Sequence, residues 1–235
     1  MILWAGIGSK DVGMVVEHYP TITIPRRKQE VQQVPGRNGD IILYQDAYEN
    51  YEQSYQVFLD AKAKGGLQKV IPKLSDWLLG HSGYQRLEDS YFPDIYRMAY
   101  YTGGVEFISI FNQYGEGTLT FNCAPEKYYK MGERPITVTK GQVISNPTLF
   151  PAKPLITIKG SGSGTISFNN NQLTISNINN TMVIDVREHL ATVNGVARNN
   201  LITGRFENMT LKGKTIITWS GGVTSMTLIP RWWTI

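Results

Sequence analysis

The 235-residue chain has a single cysteine, Cys123, and only three histidines, His18, His81 and His189, spread far apart. One thiol excludes an internal disulfide framework and a cysteine-rich zinc site, and it points to folding in a reducing compartment. The histidines fall in no metal-ligand spacing and read as surface or hydrogen-bonding residues. No run approaches the roughly 18 consecutive apolar residues of a membrane-spanning helix, so no membrane insertion is expected. The opening Met1-Ile-Leu-Trp-Ala-Gly-Ile-Gly-Ser-Lys10 has no basic residue ahead of its short apolar run and makes a poor signal peptide. No repeat with a period of roughly 20–50 residues is visible, which excludes solenoids and propellers. What remains is ample material for a core: 41% of residues are hydrophobic and 18% charged, a balance foreign to disordered chains.

Acidic residues are scarce in one part of the chain. Residues 153–235 hold eight Lys/Arg against Asp185, Glu188 and Glu207, a net of +5, while residues 1–152 carry a net of −1. The basic residues stand singly and form no run, so sequence-specific nucleic-acid binding is not expected. Composition also shifts near residue 145, from Tyr, Gln and acids to Asn, Thr, Ser, Gly and Ile. Pro147, Pro151 and Pro154 crowd the join and fit neither a helix interior nor a central strand. The expected organisation is a first domain over 1–140, a linker over 141–152 and a second domain over 153–235.

The second domain reads as all-β. Apolar residues alternate in Leu155-Ile-Thr-Ile158, Thr165-Ile-Ser-Phe168, Leu173-Thr-Ile175, Met182-Val-Ile184, Ile216-Ile-Thr-Trp219 and Met226-Thr-Leu228. Asn169-Asn-Asn171 and Asn194-Gly195 are turn signals, the latter the strongest short hairpin signal. Short strands with such turns predict a β-sandwich or jelly roll. The first domain is mixed. Thr21-Ile-Thr-Ile24, Ile41-Ile-Leu-Tyr44, Ser54-Tyr-Gln-Val-Phe-Leu59, Tyr96-Arg-Met-Ala-Tyr100, Val105-Glu-Phe-Ile-Ser-Ile-Phe111 and Gly117-Thr-Leu-Thr-Phe-Asn-Cys123 read as strands. One helix is predicted over 66–79, with Leu67, Val70, Ile71, Leu74, Trp77 and Leu78 on one face and Gly80 as the C′ residue that ends it. Pro72 sets an alternative start, in a first turn. The fold class is thus mainly β with one helix.

Catalytic chemistry is hard to find. Gly160-Ser-Gly-Ser-Gly164 invites a phosphate-loop or nucleophile-elbow reading, but both need a helix next, and Thr165-Ile-Ser-Phe168 is a strand. The run reads as a hairpin loop. Asp185, in the apolar Val183-Ile-Asp-Val186, reads as solvent-facing or paired with an Arg. Trp232 and Trp233 are adjacent and point to opposite faces of a strand, so at most one fills a core. Tyr128-Tyr129, Tyr100-Tyr101 and Tyr91-Phe92 repeat that pattern, which fits sheets covered on both faces, as in an oligomer. No catalytic residue, metal site or cofactor is expected, and the reading favours a structural or binding role over an enzyme.

Several segments, in order, resemble the distal tail proteins of siphophages. They are Gly8-Ser-Lys-Asp-Val-Gly-Met-Val-Val16, Val34-Pro-Gly-Arg-Asn-Gly39 with Ile41 and Tyr44, and Leu74-Ser-Asp-Trp-Leu78 with Gly83-Tyr84 and Leu87. Leu119-Thr-Phe-Asn-Cys-Ala-Pro125 and Asn146-Pro with Ala152-Lys-Pro-Leu-Ile-Thr-Ile-Lys-Gly160 follow, then Ile184-Asp185, Gly213 and Pro230-Arg-Trp232. The resemblance implies a ring-forming N-terminal domain, an antiparallel sheet or barrel, and a galectin-like or carbohydrate-module-like C-terminal β-sandwich. It implies a homo-hexameric hub at the virion tail tip, assembled in the host bacterial cytoplasm. That hub joins the tail tube protein to a tail-associated (fibre or lysin) protein, and in many phages to receptor-binding proteins. Pro35, Gly36, Arg37, Asn38 and Gly39 are the candidate interface residues, with an ordinary solvated turn as the alternative. A rival reading makes the second domain a carbohydrate-binding module for host cell-wall glycans, with Trp219 and Trp233 as contacts.

Overall fold

In Tyr51–Asp60 every second residue is buried: Tyr51, Gln53, Tyr55, Val57 and Leu59 face inward. That is the signature of a strand with one face on a core. The computed structural model describes residues 1–235, which divide into two units, Met1–Lys127 with Ile235, and Tyr128–Thr234. The strands reached first are β1 (Ile2–Trp4), β2 (Ile7–Gly8), β3 (Met14–Val16), β4 (Arg27–Gln32), β5 (Ile41–Tyr48), β6 (Tyr51–Asp60), β7 (Gln85–Asp89), β8 (Ile95–Tyr100), β9 (Ile108–Ile110) and β10 (Tyr114–Tyr129), with one α-helix, α1 (Leu67–Leu79). The sheet runs β2-β1-β7-β8-β10-β6-β3, and β9 adds to β10. β4 and β5 form a separate two-stranded ladder.

The core of this unit is set by Trp4, Tyr55, Phe121, Leu59, Leu87 and Leu119, with Trp4 and Phe121 rings 4.8 Å apart. α1 lays Leu67, Val70, Leu74, Trp77 and Leu78 on it. Burying each such side chain stabilises by about 1.5–3 kcal/mol. The Trp77 indole N–H also donates to the Trp4 carbonyl at 3.2 Å, locking helix to sheet. The helix keeps the expected bounds within one residue, and the alternative start at Pro72 is not taken. It starts at Leu67 and carries Pro72 inside it. Gly80 ends the helix, as expected, with a right-handed φ of −69° and its N–H donating to the Asp76 carbonyl. Of residues 105–111 only Ile108–Ile110 joins a ladder, and residues 21–24 join none.

The second unit holds β11 (Ile136–Val138), β12 (Gln142–Ser145), β13 (Leu155–Phe168), β14 (Asn171–Asp185), β15 (Leu190–Val193), β16 (Val196–Ala197), β17 (Ile202–Thr203), β18 (Lys214–Ile229) and β19 (Trp233–Thr234). Its ladder runs β11-β18-β13-β14-β15-β16, with β12 also on β18 and β17 on β14. The division between units falls at Lys127/Tyr128, ahead of the expected 140–152. The expected linker is part of the second unit: β12 pairs with β18, and Ala152 bridges Leu211. Asn146 fixes the proline-rich loop, donating to the Phe150 and Leu211 carbonyls at 2.8 Å each.

The six short strands expected here are three long ones. Gly160-Ser-Gly-Ser-Gly164 is not a hairpin loop but the middle of β13, where the register slips against both neighbours. Ile156 and Ile158 on one side of it, and Ile166 and Phe168 on the other, enter the same core. The strand therefore bends there, and the bent ladder folds over its own apolar face as the expected sandwich. The bend needs glycine because backbones nearly touch. A Cβ on Gly222 would lie 1.7 Å from the Ser161 carbonyl, and one on Gly160 2.0 Å from the Gly222 carbonyl. The Asn194-Gly195 turn is as predicted, with φ of 50° and 76° joining β15 to β16. Gly222→Ala is expected to destabilise this unit by about 1–3 kcal/mol or more. Gly162→Ala, whose Cβ meets nothing within 4 Å, is expected to lose only about 1 kcal/mol through its left-handed φ. Urea unfolding of the two variants measures the contrast.

Candidate assembly surface

Arg27-Lys-Gln-Glu-Val-Gln32 is exposed at all six positions, and β5 is exposed from Ile42 to Asp46. The hairpin thus packs on no core of its own chain. Its two strands differ in chemistry. β4 carries Arg27, Lys28 and Glu30, whereas β5 opens on the charge-free Ile41-Ile-Leu-Tyr44. Val31 lies opposite Ile42 and Glu30 opposite Leu43. Tyr44 is 60% exposed. The Arg27 guanidinium lies over the Tyr44 and Tyr48 rings at 5.5 and 5.2 Å and donates to the Tyr48 hydroxyl. This braces the root of the hairpin. Pro35, Gly36, Arg37, Asn38 and Gly39 form its exposed tip, with Gly36 and Gly39 at φ of 80° and 83°.

Beside the hairpin root runs an extended segment, residues 19–24. The alternation of Thr21-Ile-Thr-Ile24 predicts a strand, yet its backbone N–H groups donate to nothing within the chain. Two side chains hold it from within: Gln53 donates to the Thr21 carbonyl at 3.0 Å and Lys127 to the Thr23 carbonyl at 3.1 Å. Ile22 and Ile24 are 70% and 74% exposed. Thr21, Thr23 and Ile24, with Glu49, Asn50 and Glu52, line an open cleft of about 560 Å³. From Tyr51 to Tyr55 the outer edge of β6 pairs with no strand, because β3 covers only Val57 to Leu59.

A buried charge network fixes this surface from behind. Arg97 donates to Asp89 at 2.8 Å, with both side chains almost fully buried, and to the Tyr51 hydroxyl at 3.1 Å. The Tyr55 hydroxyl donates to the same Asp89 oxygen, and the other oxygen accepts from the Tyr91 and Phe92 N–H groups. Burial raises the Tyr51 and Tyr55 hydroxyls well above their usual range, so both stay protonated. Lys127 lies over the Tyr51 ring at 5.1 Å, and burial together with the Arg97 charge lowers its ammonium. A chain of contacts therefore runs from Asp89 through Arg97, Tyr51 and Lys127 to Thr23. Nothing in the composition marks these residues, but period-two alternation carries a signal. Asp89 shares a face with the buried Leu87, and Arg97 with the buried Ala99. Arg97→Met leaves Asp89 buried without its cation and is expected to cost about 3–5 kcal/mol. Denaturant unfolding of the full chain checks this, and Asp89→Asn combined with Arg97→Met is expected to lose less than the sum of the single changes.

The remaining sequence candidates sit elsewhere. Trp232 is buried, while Trp233 is half-buried, with its indole N–H donating to the Pro151 carbonyl and its ring 4.7 Å from Phe150. Trp219 is half-buried on β18 opposite Ile166. Cys123 lies in β10 with its thiol pushed up to about 12, chiefly by burial. His189 stacks on Phe206 at 6.2 Å. Asp185 pairs with an arginine, as expected: Arg231 grips it with two bonds of 2.7 and 2.8 Å. Burial pushes this carboxyl up, but the Arg231 bonds and the Glu188 and Arg187 N–H groups outweigh burial and hold it below its ordinary value of 3.8. Its stabilising contribution is therefore complete above that value and lost as pH falls through the lowered one. Asp185→Asn is expected to flatten the acid limb of a stability–pH profile, read by thermal unfolding between neutral pH and about pH 2.

Residues 16–123 match the family of the phage tail protein RIFT-related domain. No curated protein matches the chain. Among solved structures, the SPP1 phage protein Dit aligns with a TM-score of 0.77 at 15% identity, over 100% of this chain and 98% of that one. That protein is described as a paradigm of the hub adsorption apparatus in phages infecting Gram-positive hosts. Two structures of the phage p2 baseplate in its activated conformation, with Ca and with Sr, align over 92% of this chain and 90% of theirs. Their TM-scores are 0.46 and 0.48 at 9% and 10% identity, too low to add to the argument. Residues 16–123 are thus similar to a phage tail protein domain, and along its whole length the chain has the fold of the SPP1 protein Dit.

Proposed function

We propose that this chain is a non-catalytic subunit of a closed hexameric ring at the distal end of a siphophage tail. The ring joins the tail tube protein to a tail-associated protein and to host-adhesion components, and it is assembled in the host bacterial cytoplasm. The observation that carries the reading is the hairpin of β4 and β5, a well-formed β element that exposes Ile42, Leu43 and Tyr44 and packs on no core of its own chain. Apolar surface left uncovered on an ordered element marks a protein contact. A cyclic ring repeats one head-to-tail contact, so each copy must offer two different surfaces. The hairpin supplies one, and the extended segment with the cleft beside it supplies a second of different shape. The hub role carried by Dit in SPP1 fits the same fold.

Native mass spectrometry of the purified chain is expected to show a hexamer, alone or once its tail partners are added. Leu43→Asp, which places a charge on the uncovered apolar strand, is expected to weaken assembly by at least about tenfold. A chain that stays monomeric with tail tube and tail-associated proteins present, or that forms only dimers, overturns the reading.

A further inference from the structure

Residues 21–24 have the pattern of a strand but lack a partner. In an extended chain the N–H and C=O of alternate residues point to opposite sides. The Thr21 and Thr23 carbonyls point inward, to Gln53 and Lys127. The backbone groups of Ile22 and Ile24 therefore point outward, where no donor or acceptor of the chain meets them. Their side chains are among the most exposed apolar groups of the unit. A β-edge with free backbone groups and apolar side chains is a template for a further strand.

The hairpin offers that strand. β4 is lined with Arg27, Lys28 and Glu30, the kind of charged edge that resists pairing. β5 has its outer edge free, and its Ile41-Ile-Leu-Tyr44 run is charge-free and exposed from Ile42 onward. The hairpin cannot fold back onto residues 21–24 of its own copy without unmaking its root, where Glu49 N–H bonds the Arg26 carbonyl at 2.8 Å. At about 3.4 Å per residue its eight-residue strand spans roughly 27 Å.

We propose that residues 41–44 of one copy pair as a β-ladder with residues 21–24 of the next, so that each copy donates a strand on one side and accepts one on the other. The proposal rests on the ring reading and assigns its contact. It uses both free edges, sets Ile22 and Ile24 beside the side chains of one face of β5, and closes around an axis because donor and acceptor differ.

Two measurements on the full chain test it. The first is hydrogen exchange of unmodified protein, monomeric and assembled, with the Ile22 and Ile24 amides resolved by fragmentation. These amides are expected to slow at least about a hundredfold on assembly. The second places a photo-crosslinker by Leu43→p-benzoylphenylalanine in protein mixed from heavy- and light-isotope batches. Crosslinks are expected between different isotopes and onto the peptide that holds residues 19–26. If native mass spectrometry shows the ring but the amides stay fast, or the crosslinks map elsewhere, the strand exchange falls while the ring stands. If no ring forms under any condition, both fall.

Discussion

The Arg97–Asp89 pair is the anchor on which the first unit's outer surface depends. Two opposite charges removed from water are tolerable only when every lone pair and proton is satisfied, and here Tyr51, Tyr55 and two backbone N–H groups complete the set. The pair joins β6, β7 and β8 at one point. Through Tyr51 and Lys127 it reaches the Thr23 carbonyl and holds an otherwise unpaired segment in place. A segment with free N–H groups would ordinarily be loose. Two inward side-chain bonds leave it presented instead, at no cost to the core.

The second unit meets its own constraint with glycine. Its three longest strands, of 14, 15 and 16 residues, are too long for one flat face of so small a core. Gly160, Gly164, Gly221 and Gly222 let β13 and β18 approach where side chains would collide, so the ladder turns a corner and encloses Ile156, Ile166, Met182 and Ile217 together. Arg231, itself at a left-handed φ of 59°, closes the far end by gripping Asp185. One unit is pinned by charge and the other is shaped by the absence of side chains.

Much of this was legible in the residues. Period-two runs located the long strands β5, β6, β8, β10, β13, β14 and β18 but passed over β4, β7 and the short β1, β2, β3, β11, β12, β17 and β19. The helix face was right apart from the half-exposed Ile71, and Asn194-Gly195 made the turn its chemistry dictates. What failed was long-range. Gly160-Ser-Gly-Ser-Gly164 has the local composition of a loop, and only its approach to Gly221 and Gly222, some sixty residues on, makes it a bend within a strand. The proline-rich stretch looked like a linker because its anchors, Leu211 and Lys214 to Ile217, lie equally far along. Residues 21–24 read as a strand because they have a strand's pattern, although nothing in the chain completes it. The hairpin tip Pro35, Gly36, Arg37, Asn38 and Gly39 was singled out for its turn chemistry, while the apolar surface lies further down, on β5.

Cys123 carries one more consequence. Thiolate is the species that attacks disulfides and reacts with peroxides, and a thiol held near 12 beneath Phe121 and Tyr51 supplies almost none of it at neutral pH. Burial and a raised pKa together shield this thiol from disulfide exchange and from peroxides. Disulfide-linked copies through this residue are therefore not expected, and the contacts between copies are left to non-covalent surfaces.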